Sequence, residues 1–302
     1  MPHMPPYGEF IFGHEYAGDI VKVGSTVDEF RVGDRVVVEA HMGCRRCENC
    51  VRGQYTACLN FGNMKRGHRA NGFTTNGGLA EYAVNHVNTV FRIPDNVSYE
   101  EAVVVMTSGS PLYGLERAGG YFAGETVAVL GPGPIGLMAV QLVKALGAVR
   151  VILTGTRASR LALGKELGAD VIVNSREQDP VMAVREATGG RGADVTVECA
   201  GADDTFDQSI KMTKPGGRVI LVAFYHGPVT ADVADAVRRN LTIYTERGEG
   251  GTSVGRALAL LAAGRIKAKP LVTHTFPLTE VHAGFDVVEN RTGDPIKVIF
   301  HP

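Results

Sequence analysis

From residue 126 to residue 245 short apolar runs alternate with stretches that repeat at helical spacing. Strands are expected at 126–130, 149–154, 171–173, 194–199, 218–223 and 241–245, with helices between most of them, including 135–146 and 160–167. Six short buried strands linked by crossover helices describe an α/β unit, a doubly wound parallel sheet. Before it, residues 10–97 read as β-rich: 19–23, 35–39 and 79–84 are strand-like and are separated by Gly, Asp and Asn. Ser98, with Glu101 three residues on, marks a helix start of the capping-box type. After Pro270 strand character returns, notably at 297–300, and this tail is expected to rejoin the first region. The expected domains are therefore 1–110, 111–267 and a returning segment, 268–302.

Composition narrows the class. The chain has 302 residues, a formal net charge of −1 and no long run of one sign, which removes the electrostatic footprint of a nucleic-acid or membrane-surface binder. No apolar run approaches a bilayer span, and the opening Met1-Pro-His-Met-Pro-Pro lacks the apolar core of a signal peptide, so a cytoplasmic protein is expected. In a reducing compartment, clustered cysteines read as metal ligands in preference to disulfides.

Thr126-Val-Ala-Val-Leu leads into Gly131-Pro-Gly-Pro-Ile-Gly136 and then a helix. Between a buried strand and an amphipathic helix, this glycine spacing is a dinucleotide signature. Gly131 permits the tight turn, Gly133 lets backbone approach the pyrophosphate, and Gly136 lets helix and strand pack closely. Pro134 and Ile135 open the helix whose N-terminus faces the phosphates. At the end of the second strand, Gly155 stands where an NAD site usually offers an acid. Arg157 and Arg160 follow, and either could meet a 2′-phosphate. The pattern favours NADP over NAD.

Cys44, Cys47, Cys50 and, seven residues later, Cys58 use four of the five cysteines. Four thiolates close a tetrahedral structural zinc site. Cys199, alone at the end of a strand, reads as a small buried hydrophobe. Gly13-His14-Glu15 precedes a strand, and Gly13 would allow the turn by which both side chains reach one metal; taken alone, the pair also fits two exposed polar residues.

Gly13-His14-Glu15-Tyr-Ala-Gly18, Val32-Gly-Asp-Arg-Val36, the cysteine lobe, Gly77-Gly-Leu-Ala-Glu-Tyr82, Ile93-Pro-Asp95 and Gly131-Pro-Gly-Pro-Ile-Gly-Leu137 follow one another in family order. Together they resemble the zinc-dependent medium-chain dehydrogenase/reductase family, nearest its sorbitol and threonine dehydrogenase branch, over essentially the whole chain. The resemblance implies a GroES-like β-rich catalytic domain, a Rossmann domain and a homo-oligomer, dimer or tetramer. It also implies hydride transfer between a secondary alcohol (polyol, threonine-like or simple) and NADP or NAD. By the same resemblance His14 and Glu15 bind a catalytic zinc.

Two departures accompany it. Family members carry several dozen residues before the Gly-His-Glu element, including a Cys-Gly-Thr/Ser-Asp segment that supplies another zinc ligand; twelve residues precede Gly13 here, none of them Cys. Relatives also hold Cys, Asp or Glu where this chain has Thr107, a poor zinc ligand. Thr107 or Ser108 is a candidate proton relay, and Arg247 a candidate for the substrate side of the nicotinamide. The expectation is an incomplete catalytic zinc site. The alternative is a truncated or degenerate homologue that binds cofactor and structural zinc without turnover.

Overall fold

A computed structural model describes residues 10–302; the Pro-rich opening lies outside the described residues. The chain forms two compact units. One runs up to Gly109 and takes in Gly248–Gly264 and Ala268–Pro302; the other comprises Ser110–Arg247 and Arg265–Lys267.

In the first unit, β1 (Tyr16–Asp19), β2 (Arg35–Val38) and β3 (Val90–Arg92) form an antiparallel sheet in that order. The first strand therefore starts earlier than the 19–23 expected, because Tyr16 pairs with Val38 and Asp19 with Arg35. Residues 79–84 form no strand. The amides leading into this segment are used elsewhere: Gly77, Gly78 and its first residue, Leu79, donate to the carbonyls of Ile11, Gly13 and Phe12. Tyr82 and Val84 are left exposed, with no ladder to join among the described residues. Between β2 and β3 lies the cysteine lobe, whose regular structure is little more than α1 (Glu48–Val51).

Helix α2 (Tyr99–Arg117) begins as its sequence foretells. Glu101 N–H donates to Ser98 Oγ at 3.2 Å, and Ser98 N–H donates to Glu101 Oε2 at 3.1 Å, satisfying two amides that a helix start leaves without partners.

The second unit runs β4 (Thr126–Leu130), α3 (Pro134–Ala145), β5 (Arg150–Gly155), α4 (Ala158–Glu166), β6 (Val171–Asn174), α5 (Pro180–Ala187), β7 (Ala193–Glu198), α6 (Thr205–Met212), β8 (Thr213–Leu221), α7 (Val233–Arg238) and β9 (Thr242–Thr245). All its strand pairs are parallel and the order is β6-β5-β4-β7-β8-β9, the doubly wound arrangement. Its core includes Ala128, Leu130, Ile152, Val173 and Met212, all essentially inaccessible. Each large apolar side chain so buried stabilises the fold by about 1.5–3 kcal/mol.

Helix α8 (Ser253–Ala262), the parallel pair β10 (Val272–Pro277) and β11 (Lys297–His301), and α9 (Val281–Glu289) between them belong to the first unit.

Candidate functional site

In the second unit, strand order reverses beside β4, so β4 ends at the switch point where ligands of doubly wound sheets bind. The Gly131–Gly136 turn stands there. Gly131 has φ +94°, and a Cβ on it would lie 2.8 Å from Ala200; one on Gly136 would lie 1.9 Å from the Gly131 carbonyl oxygen. Gly133 faces open space, and Pro134 is the first residue of α3, which no side chain caps. Ile135 lies in that first turn, where unpaired amides and the positive dipole end suit phosphates.

Gly155 ends β5 for a reason the sequence did not disclose. A Cβ there would lie 2.2 Å from Pro132 Cδ, so the loop's own proline dictates the glycine. Its lack of an acid is therefore a packing requirement as well as a cofactor signal. Arg157 is the N-cap residue of α4 and Arg160 follows in its first turn; both are half-buried. Cys199, next to Glu198 at the end of β7, has its thiol pushed up by burial, in keeping with a structural role.

In the first unit the four lobe cysteines carry free thiols whose sulfurs all lie within 4.8 Å of one another. Cys44 and Cys50 sulfurs are 4.0 Å apart, as are those of Cys47 and Cys58. That is twice a disulfide length and close to the roughly 3.8 Å that tetrahedral zinc imposes with bonds of about 2.3 Å. The Cys44 and Asn60 amides donate to Cys58 Sγ, each at 3.3 Å, and Asn60 Nδ2 donates to Cys44 Sγ at 3.2 Å. Burial opposes ionisation of Cys44, but the Asn60 side chain and the Arg46 and Cys47 amides bring it down to about 6. The donor set fits a structural zinc.

His14 and Glu15 sit where Gly13, at φ +92°, turns the chain into β1. The His14 ring packs on Phe73, with centroids 4.5 Å apart, and burial holds its imidazole below the usual range, hence neutral at pH 7. Thr107 Oγ1 donates to Glu15 Oε1 at 3.1 Å, and Lys297 Nζ donates to Glu15 Oε2. Burial alone would raise the Glu15 carboxyl; the Lys297 ammonium beside it, with the Thr107 hydrogen bond, outweighs burial and holds it low. Lys297 thus belongs to this cluster, and the only sequence signal for it was its place at the start of the last strand. Both oxygens of Glu15 are committed. Among the described residues the cysteines are the one group of three or more His, Cys, Asp or Glu side chains spaced for a metal. No third His, Cys, Asp or Glu among the described residues joins His14 and Glu15 at metal-ligand spacing. Ser108 Oγ is buried, with no hydrogen-bond partner among the described residues.

Residues 1–95 match the alcohol dehydrogenase GroES-like domain, and residues 134–263 match the zinc-binding dehydrogenase domain. The chain belongs to the zinc-type alcohol dehydrogenase family. It is 35% identical to the L-threonine 3-dehydrogenase of Pyrococcus furiosus over 300 residues, 96% of this chain and 81% of that protein. It is 33% identical to the sorbitol dehydrogenase of Bacillus subtilis over 294 residues, 97% of this chain and 81% of that one. Among solved structures, a protein described as a zinc-binding dehydrogenase from Sinorhizobium meliloti 1021, bound to NADP, superposes with a TM-score of 0.89. It is 30% identical, and the match covers 99% of this chain and 85% of that one. The medium-chain fold and the oxidoreductase class follow from these likenesses, as do zinc and a nicotinamide cofactor. Nothing in them supports the alternative of a homologue without turnover. No helix among the described residues is long and apolar enough to cross a membrane.

Proposed function

We propose that this dehydrogenase transfers hydride between a small secondary alcohol and NADP, as a cytoplasmic homo-oligomer. The observation that carries the reading is the Gly131–Gly136 turn at the switch point of the parallel sheet. In this reading the pyrophosphate lies against Gly133 and the first turn of α3, while Arg157, with Arg160, meets the 2′-phosphate as a charge-assisted fork. A catalytic zinc, if bound, would be held by His14 and Glu15 and would supply Lewis acidity to the alcohol oxygen. This chain's own residues contribute the neutral imidazole of His14, the Glu15 carboxylate held by Lys297, and the Thr107 hydroxyl, whose proton points at Glu15. The Thr107 oxygen is then free to accept from a substrate hydroxyl, the arrangement a proton relay needs. Arg247 remains the candidate for the substrate side of the nicotinamide.

The test pairs turnover with cofactor choice. NADP reduction should be seen with at least one member of a panel of polyols, hydroxy amino acids and simple secondary alcohols. Arg157→Ala should weaken NADP binding about 10- to 100-fold, the worth of one or two charge-assisted hydrogen bonds, and leave NAD nearly unchanged. Equal affinity of the unmodified protein for both cofactors counts against the assignment of Arg157.

A further inference from the structure

At the switch point β4 and β7 lie side by side, with Leu130 in register with Glu198, so the turn that leaves β7 faces the Gly131 turn that leaves β4. The two turns touch. A Cβ on Gly131 would lie 2.8 Å from Ala200, and one on Gly136 would lie 3.5 Å from Cys199 Cβ. On its other side the β7 turn is locked to the end of β8. The Glu198 carbonyl accepts from the Val222 amide at 2.9 Å, and a Cβ on Gly201, at φ +66°, would lie 2.8 Å from the Phe224 carbonyl oxygen.

One carboxyl group ties these loops together. Glu198 is wholly buried. Its Oε1 accepts from the Ala200 and Gly201 amides at 2.8 and 2.9 Å, and its Oε2 accepts from the Tyr225 hydroxyl at 2.9 Å. Burial, and then Glu198, push the Tyr225 hydroxyl above its ordinary range, so it keeps the proton it donates. The sheet itself has no need of this group: backbone ladders already fix β7 between β4 and β8. An apolar side chain would fill the same place without the desolvation that a carboxyl suffers. What the carboxyl adds is direction, since three donors from two loops must meet it at hydrogen-bonding angles. Ala200 and Phe224, on the two loops, are exposed, so the group shapes a surface and not only a core.

The sheet indicates what that surface receives. Each half of a doubly wound sheet binds one mononucleotide. Gly155 and Arg157 put the adenosine over the β4-β5-β6 half, which leaves the β7-β8-β9 half, with the loops joined by Glu198 and Tyr225, for the nicotinamide riboside. We propose that Glu198 and Tyr225 are positioning residues, which clamp the β7 and β8 turns into the floor on which the nicotinamide half of the cofactor is seated. The inference rests on the dinucleotide reading of the Gly131–Gly136 turn.

Isothermal titration calorimetry of the full chain compares each cofactor with its counterpart lacking the nicotinamide riboside: NADP with 2′-phospho-ADP, and NAD with ADP. Using both pairs keeps the test independent of which dinucleotide the protein prefers. Tyr225→Phe is expected to bind the preferred cofactor about 10-fold more weakly, the worth of one buried hydrogen bond, and its counterpart as before. If that variant does not fold, Glu198→Gln is read in the same way. It keeps Oε1 for the two amides and puts a donor where Tyr225 needs an acceptor. Equal weakening of cofactor and counterpart overturns the inference, because the pair would then only hold the crevice together. Unchanged affinity for both overturns it as well. An unmodified protein that binds neither cofactor nor counterpart is a different failure: it sinks the dinucleotide reading itself, and the inference with it.

Discussion

Asp194 shows how a single side chain can tie sheet strands together. It accepts from the Thr126 amide at 2.8 Å and pairs with Lys214, so it joins the starts of β4, β7 and β8. Burial works against its charge, but Lys214 and the Thr126 amide outweigh it and hold the carboxyl below its ordinary range. A lowered native pKa stabilises the fold above the unfolded value, about 4, and this contribution fades as pH falls through the native one. Asp194→Asn keeps an acceptor for Thr126 and removes the charge. We expect it to cost about 1 kcal/mol in urea unfolding at pH 7, the worth of a partly exposed pair, and less at pH 3. An equal cost at both values would mean that the charge is irrelevant. At this scale the sequence was readable where a residue answers to its near neighbours, as at Gly136, which packs on the Gly131 carbonyl. It was silent at Glu15, whose partners Thr107 and Lys297 are 92 and 282 positions away.

Elements divide by the same criterion. The start of α2 is written locally in Ser98 and Glu101, and both reciprocal bonds form. Ser98→Ala should therefore lower stability by about 1 kcal/mol, whereas Ser98→Asp, which retains a capping oxygen, should cost much less; thermal melts of the two variants decide it. The parallel strands were legible because burial on both faces writes them as continuous apolar runs. The segment 79–84 alternates like a strand and is none, because strand character needs a neighbouring edge, and the amides leading into it pair with residues 11–13. The cysteine lobe is an element of another kind, with almost no regular structure and few buried apolar side chains, so a metal must supply the order that packing does not.

On the scale of the whole molecule, metal content is the clearest readout. The purified chain should hold one zinc in the lobe. Cys47→Ser should release it and lower the melting temperature, and a chelator should do the same to the unmodified protein. Zinc at full occupancy in that variant, measured by elemental analysis, would show that the ion sits elsewhere. The balanced charge of −1 fits a protein whose ligands are small molecules held in clefts, with no long-range field to steer a polyanion.

The sequence by itself determined the parallel sheet, the glycine loop and the thiolate set. Each is fixed by periodicity or by residues a few positions apart, where backbone geometry leaves little choice. Tertiary structure decided what depends on meetings across the chain. Gly155 proved to be required by Pro132, and the Glu15 carboxylate to be claimed by Lys297 and Thr107. Such meetings leave no periodic trace, because the distances that create them are set by packing and not by spacing along the chain.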